Sequence, residues 1–314
     1  MTICWPVLID IFMLDVAIII VSWNVRRYLS DCLVSVFEEL GRARLNGAVW
    51  VVDNGSTDGT LELLHTLYPH VHLIANEENV GFGAANNQGM QAANEKTPRY
   101  YFLLNPDTVL RPGALGNLIA FMDERPEAGM AGARLVYGDG RFQHSAFAFP
   151  GITQLAFDLF PLPPRLYESR WNGRYPRHLY RPEQAPFAVD FPLGAAMLVR
   201  HDVAMATGGF DESFHMYCEE VDWCWRIWEA GWPIYTVPAA EVVHFGGEST
   251  SQVPARSIIN LWQSRAQLYR KHHKSWRVNL AQKLVKLGLS RKARQAGEPL
   301  IKQAYRDGLS FWLE

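Results

Sequence analysis

The stretch AVWVVDNGSTDG at residues 48–59 carries the pattern that decides the fold. Its first five residues are apolar and rich in valine, which is typical of a strand buried on both faces. The next seven are polar and turn-forming, and a helical spacing follows over Thr60–Leu67. A buried strand, a polar loop and a helix in this order predict one β-α unit.

The same unit repeats on both sides of this stretch. The further strands and helices that the spacing predicts are Val16–Val21, Asp31–Leu40, Val71–Ala75, Ala84–Ala93 and Tyr100–Leu104. Strands that alternate with helices predict a parallel α/β sheet, whose ligands bind beyond the carboxyl ends of the strands. We therefore expect the ligand site in the polar loops that follow those ends, at residues 22–24, 53–59, 76–87 and 105–107.

Composition excludes several classes of protein. The 314 residues are 48% hydrophobic and 20% charged, which excludes a disordered or fibrous chain, and the formal net charge of −2 argues against nucleic acid as a partner. Four scattered cysteines without a CxxC pair indicate a reducing compartment and disfavour a structural zinc site. The apolar N-terminus is interrupted by Asp10 and Asp15, so we expect residues 1–12 to be an extension and not a membrane span.

The glycines at Gly81 and Gly83 leave two interpretations open. They imitate a dinucleotide-binding fingerprint, but Asn86 replaces its third glycine and the motif lies on the third β-α unit, which disfavours a dehydrogenase. No GxxxxGK[ST] motif is present, so a P-loop NTPase is excluded. The simpler interpretation is a helix start that the chain must approach closely.

The second half of the chain supplies four further motifs in a fixed order. They are Asp190–Arg200 (DFPLGAAMLVR), Gly208–Glu212 (GGFDE), Glu219–Arg226 (EEVDWCWR) and His244–Ser249 (HFGGES). Together with residues 51–58 they resemble the family 2 glycosyltransferases of the GT-A fold, especially bacterial rhamnosyltransferase-like members. The similarity runs from about Asp15 to Ser251, some three quarters of the chain.

The resemblance implies a site for a nucleoside-diphosphate sugar. Asp53 would accept a hydrogen bond from the ring N–H of a pyrimidine, in a nucleoside pocket that the turn around it shapes. The first loop would line the other side of the base or ribose, and a glycine-rich segment would contact the donor. The donor-binding residues expected on this basis are Ser22, Trp23, Asn24, Asp53, Asn54, Ser56, Gly81, Gly83, Asn87, Asn105 and Asp107.

The resemblance also implies a divalent cation, Mg²⁺ or Mn²⁺, on the diphosphate. Asn105-Pro106-Asp107 lies where the family has Asp-x-Asp, so Asn105 departs from the pattern and Asp107 is the expected ligand. A hard oxygen ligand suits a cation that neutralises the leaving diphosphate. His244 would complete the metal shell. The alternatives are a turn built by Asn-Pro-Asp and a structural histidine.

The catalytic carboxylates are expected in the acidic segment at Glu219–Asp222. The resemblance places Glu220 where the family usually has its catalytic aspartate, as the general base of an inverting displacement, with Asp222 also at the site. Asp222 could instead pair with Arg226, four residues later on the same helical face. The alternative for the whole segment is a solvated acidic helix N-terminus.

Two later regions differ in composition from the rest. Residues 142–190 are rich in proline, arginine and aromatic residues, and we expect an acceptor-side loop whose rings stack on sugars or pack as a lid. Ala255–Gly297 holds eleven Lys and Arg and no Asp or Glu. With Val278, Ala281, Leu284 and Val285 on one side of a helix, it predicts either a segment lying on an anionic membrane or a basic helix docked on the catalytic domain.

The expected protein has two parts and one activity. It has a GT-A-type α/β domain with a mixed, Rossmann-like sheet at residues 13–251 and a basic helical segment at 252–314. It transfers a deoxyhexose such as rhamnose to a glycan or lipid-linked acceptor in cell-surface polysaccharide synthesis, in the cytoplasm or at the inner face of the membrane. The alternatives are a transferase using a UDP-hexose and a non-catalytic module that binds glycans or nucleotides.

Overall fold

The computed structural model describes residues 13–247 and 252–313, so the expected extension at residues 1–12 and residues 248 and 249 of the last motif lie outside the described residues. The first half of the chain alternates strands with helices throughout. Its elements are β1 (Val16–Ser22), α1 (Arg26–Ala43), β2 (Gly47–Asp53), α2 (Thr60–Leu67), β3 (His72–Ala75), α3 (Phe82–Asn94), β4 (Tyr100–Leu104), β5 (Thr108–Leu110), α4 (Ala114–Glu124) and β6 (Met130–Val136).

The second half contains shorter elements and then three long helices. Its elements are β7 (Phe142–Gln143), β8 (Ala146–Phe147), α5 (Ile152–Leu159), α6 (Pro164–Tyr167), β9 (Phe187–Val189), β10 (Phe191–Pro192), β11 (Ala196–Arg200), α7 (His201–Thr207), α8 (Glu219–Glu229), β12 (Ile234–His244), α9 (Pro254–His272), α10 (Ser275–Gln295) and α11 (Pro299–Leu313). Two 3₁₀ turns lie between α6 and β9, so the region expected to be a loop folds into short, packed pieces.

One mixed sheet organises the domain, in the order β3-β2-β1-β4-β11-β6-β12-β5. The strands β1 to β4 pair in parallel, as the β-α repetition predicts. In contrast, β11 runs antiparallel to both of its neighbours, β4 and β6. Consecutive units extend the sheet in opposite directions from β1, so a crevice opens beyond the carboxyl ends of β1 and β4.

Helix α1 begins five residues before the start that its spacing predicts. Val25 at its N-cap has no side chain that could cap the helix. The backbone N–H of Arg26 instead donates to Asp58 Oδ2 at 2.8 Å, from the loop after β2. Because the partner of this N–H is 32 residues away, local sequence gives no start signal.

Apolar side chains cover both faces of the sheet. One buried layer is formed by α1 and α4, with Leu33 and Leu118 among its members, and the other by α3, α7 and α8, with Met90 and Trp223 among its members. Each residue of β1 is buried, which explains its uninterrupted apolar sequence. This rigid sheet fixes the positions of the loops at its carboxyl edge.

The three C-terminal helices form a separate apolar cluster with α5. Trp262 and Tyr269 on α9 are 3% and 1% exposed, and Trp312 of α11 donates through Nε1 to the carbonyl of Trp262 at 2.9 Å. Both rings belong to this core, so neither is available to a membrane surface. Among the described helices, none is both long and apolar enough to cross a membrane.

Candidate active site

A cavity of about 240 Å³ lies at the carboxyl edge of the sheet, in the crevice beyond β1, β2 and β4. Six of the residues singled out from the sequence line it, and they come from five separate segments of the chain. They are Trp23, Asn54, Asn105, Asp107, Glu220 and His244. The folding of the sheet thus brings together residues up to 221 positions apart, from Trp23 to His244.

Ser22 is the last residue of β1 and Asp53 is the last residue of β2. The two stand opposite each other in these neighbouring strands, and both are fully buried. Asp53 Oδ2 accepts from the backbone N–H of Ser56 at 2.8 Å. Within the described residues, Asp53 Oδ1 and Ser22 Oγ have no hydrogen-bond partner. A buried acceptor without a donor is costly, so both atoms mark a place where a ligand could supply one.

The loops after β1 and β2 are joined to each other by hydrogen bonds. The backbone N–H of Asn24 donates to Ser56 Oγ at 2.9 Å, and the N–H of Thr57 donates to Asn24 Oδ1 at 2.8 Å. Asn24 and Ser56 therefore shape the loops and do not line the cavity. Asn54 does line it, and its Nδ2 donates to the carbonyl of Gly81 at 3.3 Å.

Gly81, Gly83 and Asn87 lie against protein and not against the cavity. A Cβ at Gly81, where φ is +95°, would come within 2.4 Å of the carbonyl oxygen of His215. Asn87 Nδ2 donates to the carbonyl of Phe210 at 2.9 Å, and its Oδ1 accepts from the N–H of Phe210 at 3.0 Å. These contacts fit the interpretation of a helix start that must be approached closely.

Asp107 and His244 form a buried pair at the wall of the cavity. His244 Nε2 lies 3.5 Å from Asp107 Oδ1, and both residues are 6% exposed. His244 Nδ1 faces Gln143 Oε1 at 3.2 Å, and Asp107 Oδ2 accepts from the N–H of Gly246 at 3.1 Å. The pairing of β12 with β5 sets this geometry, because His244 stands opposite Thr108.

These two residues fit one side of a cation site. A carboxylate oxygen and an imidazole nitrogen are ligands of divalent cations, and Asn105 Oδ1, nearby in the sequence, is buried with no partner in the described part of the chain. Among the described residues, no group of three or more His, Cys, Asp or Glu could hold a metal. A cation here would therefore need ligands from the diphosphate as well, which is usual for Mg²⁺ on phosphate substrates.

Helix α8 delivers two carboxyl groups to the same cavity, those of Glu219 and Glu220. Tyr217 and Cys218 precede them with φ of +69° and +67°, a left-handed conformation that is rare outside glycine. Two such residues in succession turn the chain sharply before the helix begins. Strain of this kind clusters at functional sites, where the surrounding structure maintains it.

Burial raises the pKa of Glu220, although backbone N–H groups at Glu220 and Val221 oppose the change. Burial and the charge of Glu220 raise the pKa of Glu219 well above its ordinary value. Two adjacent carboxyl groups with limited access to water hold a proton more readily than free ones. A carboxylate with a raised pKa is better suited to withdraw a proton near neutral pH.

Asp222 is on the same helix but outside the cavity, and it is fully buried. Its Oδ2 accepts from Arg226 Nε at 2.9 Å, and its Oδ1 lies 2.7 Å from His272 Nε2 and 2.8 Å from Lys271 Nζ. Burial opposes ionisation of Asp222, but the hydrogen bonds from His272, Lys271 and Arg226 outweigh it and lower the pKa. Asp222 thus pairs with Arg226, as the spacing indicated, and it also joins α8 to α9, which the spacing did not indicate.

Comparison with known proteins identifies the family. The family described as glycosyl transferase family 2 matches residues 17–182, more than half of the chain. The chain belongs to this family. It is a glycosyltransferase, and the resemblance inferred from the motifs is confirmed.

Relatives and solved structures agree with this assignment. N-acetylglucosaminyl-diphospho-decaprenol L-rhamnosyltransferase from Mycobacterium tuberculosis H37Rv is 32% identical over 239 residues, covering 73% of this chain and 76% of the relative. The structure of GalNAc-T7, solved with UDP, GalNAc and Mn²⁺, is similar to this chain with a TM-score of 0.61 at 15% identity. The similarity covers 96% of this chain and 56% of the GalNAc-T7 chain. The mannosyltransferase PcManGT from Pyrobaculum calidifontis, solved with GDP-Man and Mn²⁺, has a TM-score of 0.57 at 15% identity, covering 96% and 85%. The fold is the expected GT-A type.

A second cavity of this glycosyltransferase, of about 290 Å³, adjoins the first. Tyr217 and Glu220 line both cavities, so these two residues lie at their boundary. The 142–190 region contributes Phe147, and α9 contributes Leu261. The region expected on the acceptor side therefore does line a cavity next to Glu220.

The first cavity also has lining residues that were not among the expected site residues, although some of them lie in the expected loops and motifs. Glu219, Tyr217, Met216, Asn79 and Gly194 all line it. Glu219 could have been found as the second carboxylate of the same motif. Gly194 lies in the Asp190–Arg200 motif, where a Cβ would come within 3.5 Å of Glu220 Cγ, whereas Met216 carries no local signal.

Proposed function

We propose that this glycosyltransferase moves a sugar from a nucleoside-diphosphate donor to a glycan or lipid-linked acceptor, with inversion at the anomeric carbon, in cell-surface polysaccharide synthesis. The observation that carries the proposal is the position of Glu220 between two cavities, with Asp107 and His244 on the wall of the first. One cavity would hold the donor and the other the acceptor. A deoxyhexose such as rhamnose is the proposed sugar, because the mycobacterial relative is named an L-rhamnosyltransferase.

We assign the nucleoside to the ends of β1 and β2, beside the donor cavity, although Ser22 and Asp53 do not themselves line it. Asp53 Oδ1 and Ser22 Oγ are buried there without a partner among the described residues, and Asp53 would accept from the ring N–H of a pyrimidine. Trp23 and Asn54 would line the pocket beside them. Asn24, Ser56, Gly81, Gly83 and Asn87 would support the donor loops through the contacts described above.

Asp107 and His244 are the proposed protein ligands of a divalent cation, Mg²⁺ or Mn²⁺, with Asn105 beside them. When bound, such a cation would neutralise charge that develops on the diphosphate leaving group. The two protein residues are already oriented by Gly246 and Gln143, so little rearrangement would be needed.

Glu220 is the proposed general base. Its carboxylate would take the proton of the acceptor hydroxyl as that oxygen bonds to the anomeric carbon and the bond from that carbon to the diphosphate oxygen breaks. An acceptor that enters from the second cavity and a donor in the first would approach Glu220 from different sides. This arrangement suits an in-line displacement, which inverts the anomeric carbon.

The function is tested by incubating the protein with labelled donors and a GlcNAc-diphosphate lipid acceptor. We expect transfer from dTDP-rhamnose, and we expect dTDP to raise the melting temperature more than GDP does. Faster transfer from a UDP-hexose would replace the donor assignment. Donor binding without transfer to any acceptor would indicate a non-catalytic binding module.

Removing either proposed metal ligand should affect the diphosphate and spare the nucleoside. Asp107→Asn and His244→Ala should each weaken metal-dependent binding of the nucleoside diphosphate by at least the roughly 10–100-fold that loss of a residue supporting a ligand typically causes. Calorimetric titrations with and without EDTA measure this. Binding of the free nucleoside should stay unchanged, and full transfer activity in excess chelator would contradict the assignment.

Narrowing the second cavity should affect the acceptor alone. Leu261 is half-buried in α9 and lines this cavity without lining the first. Leu261→Trp should therefore raise KM for the acceptor several-fold, at unchanged KM for the donor. An increase in donor KM, or no change in either constant, would mean that the acceptor binds elsewhere.

We also propose that the enzyme works in the cytoplasm, peripherally at an anionic membrane surface. A lipid-linked acceptor would be anchored at such a surface, and the name of the mycobacterial relative includes a diphospho-decaprenol group. The basic C-terminal helices supply the charge that such a surface attracts.

A further inference from the structure

Helix α10 has two apolar faces, and only one of them is used by the fold. The inner face holds Ala281, Val285 and Leu289, which are buried against α5 and the other C-terminal helices. The outer face carries Trp276, Leu280 and Leu287, which are 59%, 40% and 60% exposed. At 100° per residue these three side chains fall within about 40° of one another, opposite the buried face.

Basic side chains surround this outer stripe. Lys283 lies between Leu280 and Leu287 on the same face, and Arg294 continues the face toward the end of the helix. The guanidinium carbon of Arg277 lies 5.3 Å from the centre of the Trp276 ring. The face thus combines an apolar centre with a cationic border.

The cations of α9 and α10 differ in what they contact. Arg265 of α9 pairs with Asp158 at 2.6 Å, and Lys271 pairs with Asp211 at 2.6 Å, so α9 does dock on acidic groups of the catalytic domain. In the described part of the chain, none of the six Lys and Arg of α10 forms an ion pair with a carboxylate. These six residues are Arg277, Lys283, Lys286, Arg291, Lys292 and Arg294.

We propose that the outer face of α10 is a docking surface for an anionic lipid bilayer, with Trp276, Leu280 and Leu287 inserted among the headgroups. The surface is therefore opposite to the Val278, Ala281, Leu284 and Val285 side that the sequence pattern indicated. Charge complementarity favours lipid, since the segment holds no acidic residue, and the apolar stripe favours a bilayer over a nucleic acid. This inference deepens the membrane location proposed above and does not depend on the donor or the general base.

The test is sedimentation of the full-length protein with vesicles of phosphatidylcholine alone or mixed with phosphatidylglycerol. We expect binding only to the mixed vesicles and release by salt. The Lys283→Gln/Lys286→Gln variant should bind about fivefold more weakly for each charge removed. Changing Trp276, Leu280 and Leu287 together to Ser should weaken binding by at least about tenfold.

Matched controls test whether vesicle binding depends on this face of α10 or on exposed charged and apolar side chains in general. Leu67, on α2, is 61% exposed, and Lys96 is also exposed, so Leu67→Ser and Lys96→Gln should leave vesicle binding unchanged. Transfer to a water-soluble acceptor should be the same in all of these variants, because α10 lines neither cavity near Glu220.

Three outcomes would overturn the inference. The first is equal binding of the natural protein to both kinds of vesicle, and the second is full binding by the serine variant. The third is that the natural protein binds no vesicles and the serine variant changes its oligomeric state, which would assign the stripe to a second copy of the chain. If the natural protein binds the mixed vesicles but transfers no sugar, only the proposed enzyme function is refuted.

Discussion

The Glu220→Gln variant should bind donor normally and transfer sugar about a hundred- to ten-thousand-fold more slowly than the natural protein, the usual cost of removing a general base. The substitution keeps the size of the side chain and removes its ability to accept a proton. Donor affinity from calorimetry and single-turnover transfer rates measure the two effects separately. The matched control is Glu229→Gln, an exposed position at the end of the same helix, which should leave both quantities unchanged.

The pH dependence gives a second measurement of the same assignment. Because burial raises the pKa of Glu220, turnover should fall on acidification at a higher pH than an ordinary glutamate would give. A base works only when deprotonated, so the rate should rise through that pKa and then level off. This acid limb should disappear in Glu220→Gln. If it persists there and disappears in Glu219→Gln, then Glu219 is the base.

The Asp222→Ala variant should lose stability, by about 3–5 kcal/mol, the usual cost of removing one partner of a buried ion pair. It would leave Arg226, Lys271 and His272 without the carboxylate that they share. The free energy of unfolding from denaturant titration measures the loss. The control Asp202→Ala removes an exposed carboxylate from α7, whose contact with His201 should contribute at most about 1 kcal/mol.

The sign of the pH effect on stability also follows from Asp222. Its pKa is lowered in the folded protein, so its contribution is full above the pKa of about 3.9 of the unfolded chain and is lost as the pH falls through the lowered value. The difference in stability between the natural protein and Asp222→Ala should therefore shrink in strong acid. A stable Asp222→Ala that binds donor but transfers no sugar would make Asp222 the base instead.

The network around Asp222 also ties the C-terminal segment to the catalytic domain. Lys271 and His272 end α9 and contact a carboxylate two residues from Glu220 in the sequence. Ser264, also on α9, donates to the carbonyl of Met216, which lines the donor cavity. The orientation of Glu220 therefore depends on helices that the sequence identifies only as a basic appendage.

Much of this protein follows from local sequence. The β-α repetition up to Leu104 gives the parallel half of the sheet, because buried strands require continuous apolar residues and their polar loops must stand at the carboxyl edge. Short polar motifs indicate the family, and Trp23, Asn54, Asp107, Glu220 and His244 do meet at one cavity.

The tertiary structure decided what local patterns leave open. Residues two apart on a helix point in different directions, so the spacing of α8 allows only one of Glu220 and Asp222 at the site, and the contacts of Asp222 with Arg226 and with α9 decide that it is not Asp222. The spacing of α10 shows apolar residues on two faces, and only packing against α5 and the other C-terminal helices decides which face is buried. Likewise, the first turn of α1 is capped by Asp58 from another loop. In each case the deciding contact joins residues far apart in the chain, so the physical cause is absent from any local stretch of sequence.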